Sequence, residues 1–250
     1  MTTHDTSTAA LIDALARANR SGELLSHGSV VPPADFAAAM VVQAASVALT
    51  GETTGGWKVG FAADGAPIGG VIFAAKMVAS GASWPMPTGG AVLIEVEIAV
   101  RLGRDLPHRP GNPYSRADVE AAVSHVVAGI ELLRSRMAEQ PAPAFTAWLA
   151  DRLGNLGYVT GAEVPFDPAM DLSALQCRMW VDGKLEHDKA GGHPQNDPLA
   201  PIVAYANHAG GFRAGQVITT GSLIVPLRCE TPCLIEAEIA GIGKVALRLA

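Results

Sequence analysis

Beyond Gly51 the chain is cut by glycine and proline into short apolar runs of strand length, and this punctuation restricts the fold more than any other feature. The runs occupy residues 56–61, 70–75, 91–102, 158–160, 175–181, 216–220 and 234–240. With 27 Gly and 17 Pro in 250 residues, that stretch reads as many strands joined by tight turns. Ahead of it, residues 8–20 and 33–50 are alanine-rich with apolar positions at helical spacing, and Ala34-Asp35-Phe36 after Pro32-Pro33 marks a helix start. Within the body only residues 115–124 and 198–209 look helical. The expectation is an α+β chain, with a helical N-terminal segment at 1–52 and a β-rich catalytic domain at 53–250.

An apolar content of 49% is ample for a core. Lys plus Arg number 18 against 24 Asp plus Glu, giving net charge −6 with no basic cluster, so nucleic acid is not an expected partner. The longest apolar runs are cut by acids well before the roughly 18 residues of a spanning helix. The opening Met1-Thr2-Thr3-His4-Asp5 is polar and carries no secretory signal. These features predict a soluble, cytoplasmic protein with no membrane partner. Cys177, Cys229 and Cys233 make an odd count without a histidine pair at zinc-finger spacing, as expected of free buried thiols.

The chemistry is carried by acids in apolar strands. Alternation from Val92 to Val100 puts Val92, Ile94, Val96, Ile98 and Val100 on one face and Leu93, Glu95, Glu97 and Ala99 on the other. Two adjacent acids on one face repel each other unless water or a cation lies over them. Leu234-Ile235-Glu236-Ala237-Glu238-Ile239 repeats the pattern, so spacing alone does not choose between the two pairs. Glu131 is the one acid in the run from Val126 to Leu133, where Gly129 argues for a short buried strand rather than a helix. Its partner is either Arg134 or Arg136 in an ion pair, or a metal shared with another acid pair. Three carboxylates suit Mg²⁺ or Mn²⁺. Lys58, in Gly55-Gly56-Trp57-Lys58-Val59-Gly60-Phe61, places a cation between glycines in an apolar strand. Gly192-His193 in a glycine loop and Thr220-Gly221 after an apolar strand offer further polar groups. No G-x-S-x-G elbow, Walker loop or G-x-G-x-x-G fingerprint occurs, which removes serine-hydrolase and nucleotide readings.

In order and spacing these pieces resemble the fumarylacetoacetate hydrolase superfamily, in its branch of 2-keto-4-pentenoate hydratases and 4-oxalocrotonate decarboxylases. The likeness runs through Gly56-Trp57-Lys58-Val59-Gly60, Pro67-Ile68-Gly69-Gly70, Ile94-Glu95-Val96-Glu97, Ile130-Glu131 with Ser135-Arg136, Asp151, Gly192-His193-Pro194, Thr220-Gly221 and Gly241-Ile242-Gly243. It implies a mixed β-sheet curled into a barrel-like roll with the N-terminal helices packed outside. It implies that Glu95, Glu97 and Glu131, rather than Glu236 and Glu238, hold Mg²⁺ or Mn²⁺. Lys58 and Asp151 become the implied catalytic residues, and Gly192, His193, Thr220 and Gly221 the implied substrate-binding ones. The implied activity is lyase chemistry on a small unsaturated 2-oxo acid, hydration or decarboxylation through a metal-stabilised enolate, in a homo-oligomer. An acylpyruvate-type C–C bond hydrolase and a non-catalytic 2-oxo acid or metal binding protein stay open as alternatives. Pro67-Ile68-Gly69-Gly70 lacks the acid of the hydratases' P-D-F-G stretch and looks more like the decarboxylases' P-I-x-G. The chain departs from the branch in a shorter loop from Gly60 to Pro67, in Arg152 where Asn usually follows the Asp, and in Pro232-Cys233 where a Gly-Asp occurs late in the pattern.

Overall fold

The computed structural model describes residues 3–88, 90–138, 142–209 and 211–250; Met1 and Thr2 of the polar opening lie outside the described residues. Two helices lead, α1 Thr3–Ser21 and α2 Phe36–Thr50. The second starts where the sequence predicts: the Asp35 side chain accepts from the Ala38 N–H at 2.8 Å. It stops at Gly51, whose φ of 74° is the left-handed conformation glycine tolerates.

The body then runs β1 Thr54–Phe61, β2 Pro67–Phe73, β3 Met77–Ala79, β4 Ala82–Trp84, β5 Val92–Leu102, α3 Arg116–Glu120, β6 Val123–Leu133, α4 Phe145–Ala150 and β7 Asn155–Pro165. It continues with β8 Gln176–Val181, β9 Lys184–Ala190, α5 Ala200–His208, β10 Val217–Ser222, β11 Leu227–Cys229, β12 Cys233–Ile239 and β13 Gly243–Leu249. The larger sheet has the order β2-β1-β10-β5-β6-β7-β3, with β11 also pairing β5. It is mixed, since β1 with β10 and β3 with β7 are parallel and the other pairs antiparallel. Its two edge strands, β2 and β3, are consecutive in the chain and separated only by Ala74–Lys76. So short a link forces the edges together, and the sheet curls into a half-barrel roll with β2 against β7. The smaller sheet has the order β4-β13-β12-β8-β9.

The apolar face read from β5 forms the main core. Val92, Ile94, Val96 and Ile98 pack with Val126, Ala128, Ile130 and Leu132 of β6 and with Met179, Ile235, Ala237, Val245 and Leu247 of the smaller sheet. Each Val, Ile, Leu or Met among these contributes roughly 1.5–3 kcal/mol on burial. A one-residue slip of β5 would drive Glu95 and Glu97 into this interface, so the core fixes which way the acids point. The inner face is lined lower down by Ile72, Ala99, Val127, Tyr158 and Val217.

The helices α1, α2 and α4 share an outer core with Ile68 of β2, through Leu11, Leu15, Ala39, Val42, Leu149 and Ala150. Buried Gln43 ties this layer to the sheet edge. Its Nε2 donates to Gly69 O at 3.1 Å and to Leu149 O at 2.7 Å, and its Oε1 accepts from Val71 N at 3.2 Å. Contacts to a C=O and an N–H two residues apart on β2 copy what a neighbouring strand would offer, so one side chain closes part of an otherwise open edge.

Several elements differ from the sequence reading. The helix expected over 115–124 ends at Glu120, because the β-branched run from Val123 joins β5 and extends β6 to eleven residues. Strand β9, with the exposed sequence KLEHDKA, has no apolar period to reveal it. Helix α4 is too short for periodicity to register. No helix among the described residues is long and apolar enough to cross a membrane.

Replacing Gln43 by Leu keeps the volume and removes three hydrogen bonds to buried backbone groups. We expect a loss of about 2–4 kcal/mol in urea unfolding, with the fold retained.

Candidate metal centre

The site grows out of the β5–β6 register. Glu95 lies directly across from Glu131, and Glu97 across from Gly129. All three acids therefore point to the inside of the roll, Glu97 and Glu131 fully buried and Glu95 half-buried. One carboxylate oxygen of each lies within 4.8 Å of the others. Gly129 is required here, because a Cβ at that position would sit 1.9 Å from the Tyr158 hydroxyl that fills the space beside Glu97.

Each buried acid is anchored through one oxygen. Thr219 Oγ1 donates to Glu97 Oε2, and Asn155 Nδ2 donates to Glu131 Oε1 at 2.8 Å. Lys58, in register with Thr219 on β1, places Nζ 2.7 Å from Glu131 Oε2 and 3.5 Å from Glu95 Oε2. The remaining oxygen of Glu97, Oε1, is buried without a hydrogen-bond partner. With all three acids ionised, three carboxylates would face one ammonium and leave two negative charges uncompensated. At 4.8 Å and an effective dielectric near 20, each carboxylate pair repels by roughly 3–4 kcal/mol. An oxygen-only donor set with this charge excess and an orphaned oxygen fits one hard divalent cation.

The proton affinities follow. Burial, then the charges of Glu131 and Glu95, push the Glu97 carboxyl well above the usual range. Burial raises Glu131 to about 7; Lys58 opposes the rise and Glu95 adds to it. Burial alone would lower the Lys58 ammonium, yet Glu131, Glu95 and Glu97 outweigh it and hold the proton more tightly than usual.

Above the acids opens a cavity of about 420 Å³ bordered by Lys58, Glu95, Glu97, Thr220, Gly221 and Ser222, with an apolar wall that includes Phe61, Ile68, Phe145, Trp148, Leu153 and Ile224. Gly192 and His193 stand behind Thr220-Gly221. His193 Nε2 is 3.1 Å from Thr220 Oγ1, and the Gln195 N–H donates to Nδ1 at 3.3 Å, which puts the ring proton on Nε2. Burial lowers this imidazole to about 4 against the pull of Asp197, so at neutral pH it orients Thr220 as an uncharged donor. Gly221, at φ 142°, lets Pro194 and His193 come close.

Asp151 does not join this group. Its carboxylate accepts from Arg136 Nε at 2.6 Å, Arg136 N at 2.7 Å and Ser135 Oγ at 2.8 Å, and it does not border the cavity. Arg136 also donates to Asn155 O at 2.6 Å, so Asp151 reaches Glu131 only through Arg136 and Asn155. This pairing removes Arg136 as the partner of Glu131. Glu236 and Glu238 lie on β12 at exposed and half-buried positions. Thr219 belongs to the run Thr219-Thr220-Gly221-Ser222, which the sequence offers as hydroxyl and backbone donors after an apolar strand, whereas nothing in the sequence near Trp148 or Asn155 marks either residue.

The model of the fumarylacetoacetate hydrolase C-terminal family matches residues 40–250. A 2-keto-4-pentenoate hydratase of Burkholderia vietnamiensis is 27% identical over 96% of this chain and 97% of its own length. A second, from Paraburkholderia phymatum, is 28% identical over 79% of each. Among solved structures, a 4-oxalocrotonate decarboxylase from Pseudomonas putida, complexed with magnesium and adipate, superposes with TM-score 0.83 at 22% identity over 100% of this chain and 99% of that one. A 2-hydroxyhepta-2,4-diene-1,7-dioate isomerase from Mycobacterium marinum superposes with TM-score 0.60 at 16% identity over 80% and 76%.

Because Glu131 binds protons more tightly when folded than its ordinary value near 4.5, the ligand-free protein loses stability as pH rises from about 4.5 to about 7. Thermal melts across that window should show a falling midpoint without divalent ions and a recovered one with Mg²⁺. A midpoint independent of both would contradict the charge balance.

Proposed function

The chain belongs to the fumarylacetoacetate hydrolase C-terminal family, and from that premise we propose a divalent-metal-dependent lyase acting on a small unsaturated 2-oxo acid. The observation that carries the proposal is the convergence of Glu95, Glu97 and Glu131 with Lys58, in which Lys58, Glu95 and Glu97 border one cavity and Glu131 lies buried behind them. We take Mg²⁺ or Mn²⁺ as the ion these acids hold. Bound there, the ion would supply Lewis-acid stabilisation of the negative charge that develops on a 2-oxo acid.

The residues divide the remaining work. Lys58, kept protonated by the acids around it, is a fixed positive charge beside the position where an enolate oxygen develops. Thr219 and Asn155 lock the rotamers of Glu97 and Glu131. Thr220 and the Gly221 backbone form the rim against which a substrate carboxylate rests. The far wall is apolar through Phe61, Ile68, Phe145, Leu153 and Ile224, and by the resemblance Ile68 stands where the hydratases carry an acid.

That wall favours decarboxylation of a 2-oxo-3-enedioate over addition of water. In this step the C5–C6 bond breaks, its electron pair forms C4=C5, the double bond shifts to C2=C3, and the negative charge ends on the 2-oxygen beside Lys58. CO₂ leaves, and no acid or base is needed at the distal carbon. Adipate, the saturated six-carbon dicarboxylate named with the Pseudomonas putida decarboxylase, has the matching length. Hydration is supported by the names of the 27% and 28% identical relatives and is the second reading.

Incubated with Mg²⁺ and 2-oxo-3-hexenedioate, the protein should release CO₂ and build dienol absorbance. With 2-hydroxypenta-2,4-dienoate it should leave the substrate intact. Consumption of the dienoate without CO₂ release from the diacid would establish hydration instead, and release of pyruvate from an acylpyruvate would establish the hydrolase. Glu97→Gln should abolish metal-dependent turnover, and Lys58→Met should lower kcat about 10²- to 10⁴-fold while the ion still binds in calorimetry.

A further inference from the structure

A second cavity, of about 690 Å³, opens beside the end of α1 and is bordered by Arg20, Lys76, Arg134, Arg136 and Arg152, with Glu23 as its acid. Asp151 offsets Arg136 at 2.6 Å. Among the described residues that border the cavity, Arg20, Lys76 and Arg152 then stand with the carboxylate of Glu23, in a chain of net charge −6.

Arg152 is the most constrained of these. Only 2% exposed, it sits at φ 56°, followed by Leu153 at φ 54°. Left-handed backbone at a non-glycine residue costs roughly 1–3 kcal/mol and persists only where the surroundings hold it. Gly70 makes room, because a Cβ there would lie 2.6 Å from Arg152 O. The guanidinium donates to Val71 O at 3.1 Å and Asn19 Oδ1 at 2.6 Å, and stacks over Phe73 at 4.1 Å from the ring centroid. Its Nε is buried with no partner. The neighbouring carboxylate, Asp151, is committed to Arg136. Among the described residues this buried guanidinium hydrogen-bonds to neutral oxygens alone, and the more distant charges of Asp151, Glu131 and Glu52 offset it only in part. Burial, with Arg136 close by, lowers it to about 9.

We propose that this cavity is an anion site, separate from the metal centre, that takes a small dianion of the phosphate or short dicarboxylate class. Arg152 supplies the buried guanidinium and Lys76 and Arg20 the outer charges, an arrangement suited to planar or tetrahedral oxyanions. The site is joined to the metal centre by two contacts. Arg152 Nη1 lies 3.4 Å from Asn155 Oδ1, and Asn155 Nδ2 donates to Glu131 Oε1 at 2.8 Å.

Inorganic phosphate and succinate, titrated separately into the Mg²⁺-loaded protein by calorimetry, test this. At least one should bind saturably with one site per chain; phosphate alone or succinate alone identifies which source of the dianion the site prefers. Binding should weaken about tenfold or more in Arg152→Gln and in the Lys76→Met, Arg20→Gln double variant, and stay within about threefold in Glu97→Gln, which alters only the other cavity. The surface double variant keeps the test decisive if Arg152→Gln fails to fold. Absence of saturable binding below about 10 mM would overturn the proposal. So would binding that survives the double variant or is lost in Glu97→Gln.

Discussion

Pairing β5 with β6 sets Glu95 directly across from Glu131 in the interior of the roll, and the rest of the structure either enforces that opposition or compensates it. The enforcing side is apolar. Val92, Ile94, Val96 and Ile98 cannot leave the smaller sheet without exposing the main core, so their alternation commits the acids to the inner face. The compensating side is polar and incomplete: Lys58, Thr219 and Asn155 each satisfy part of the acid cluster, yet Glu97 Oε1 remains unpartnered. A fold that buries like charges at this density gains a binding site at the expense of its own ligand-free stability.

The polar groups are arranged in depth. Behind Glu131 stands Asn155, and behind Asn155 stand Arg136, locked by Asp151, and Arg152, wedged under β2. Behind Thr220 stands a neutral His193. A ligand carboxylate held at both ends in this way keeps one rotamer, which is what a metal centre needs if the ion is to orient a substrate rather than merely bind it. The pairing of β7 with β6 supports this, because it sets Asn155, at the start of β7, beside Glu131.

Much of this was legible from residue order alone. Strand β5 and its two faces followed from period-2 alternation, the start of α2 from Asp35 after two prolines, and the isolation of Glu131 from the apolar run around it. What stayed hidden depends on tertiary neighbours. Glu95-Val96-Glu97 and Glu236-Ala237-Glu238 are indistinguishable as patterns; they separate because β6 and β7 cover one pair with Glu131 and Tyr158 while β12 leaves the other partly in water. Arg136 was a reasonable partner for Glu131 by proximity in sequence, but Asp151 lies closer in space. Gln43 reads as an ordinary polar position on a helix, and only the open edge of β2 gives it a role. Strand β9 is polar on both faces and edge-bound, so hydrophobic periodicity is blind to it.

The central claim is that three inward carboxylates on β5 and β6 share one divalent ion. Titrating the protein with Mn²⁺ and counting free ion by electron paramagnetic resonance tests it most directly. The account predicts one tight site per chain that disappears in Glu131→Gln; a chain that takes up no Mn²⁺, or a site that persists unchanged in that variant, would contradict it.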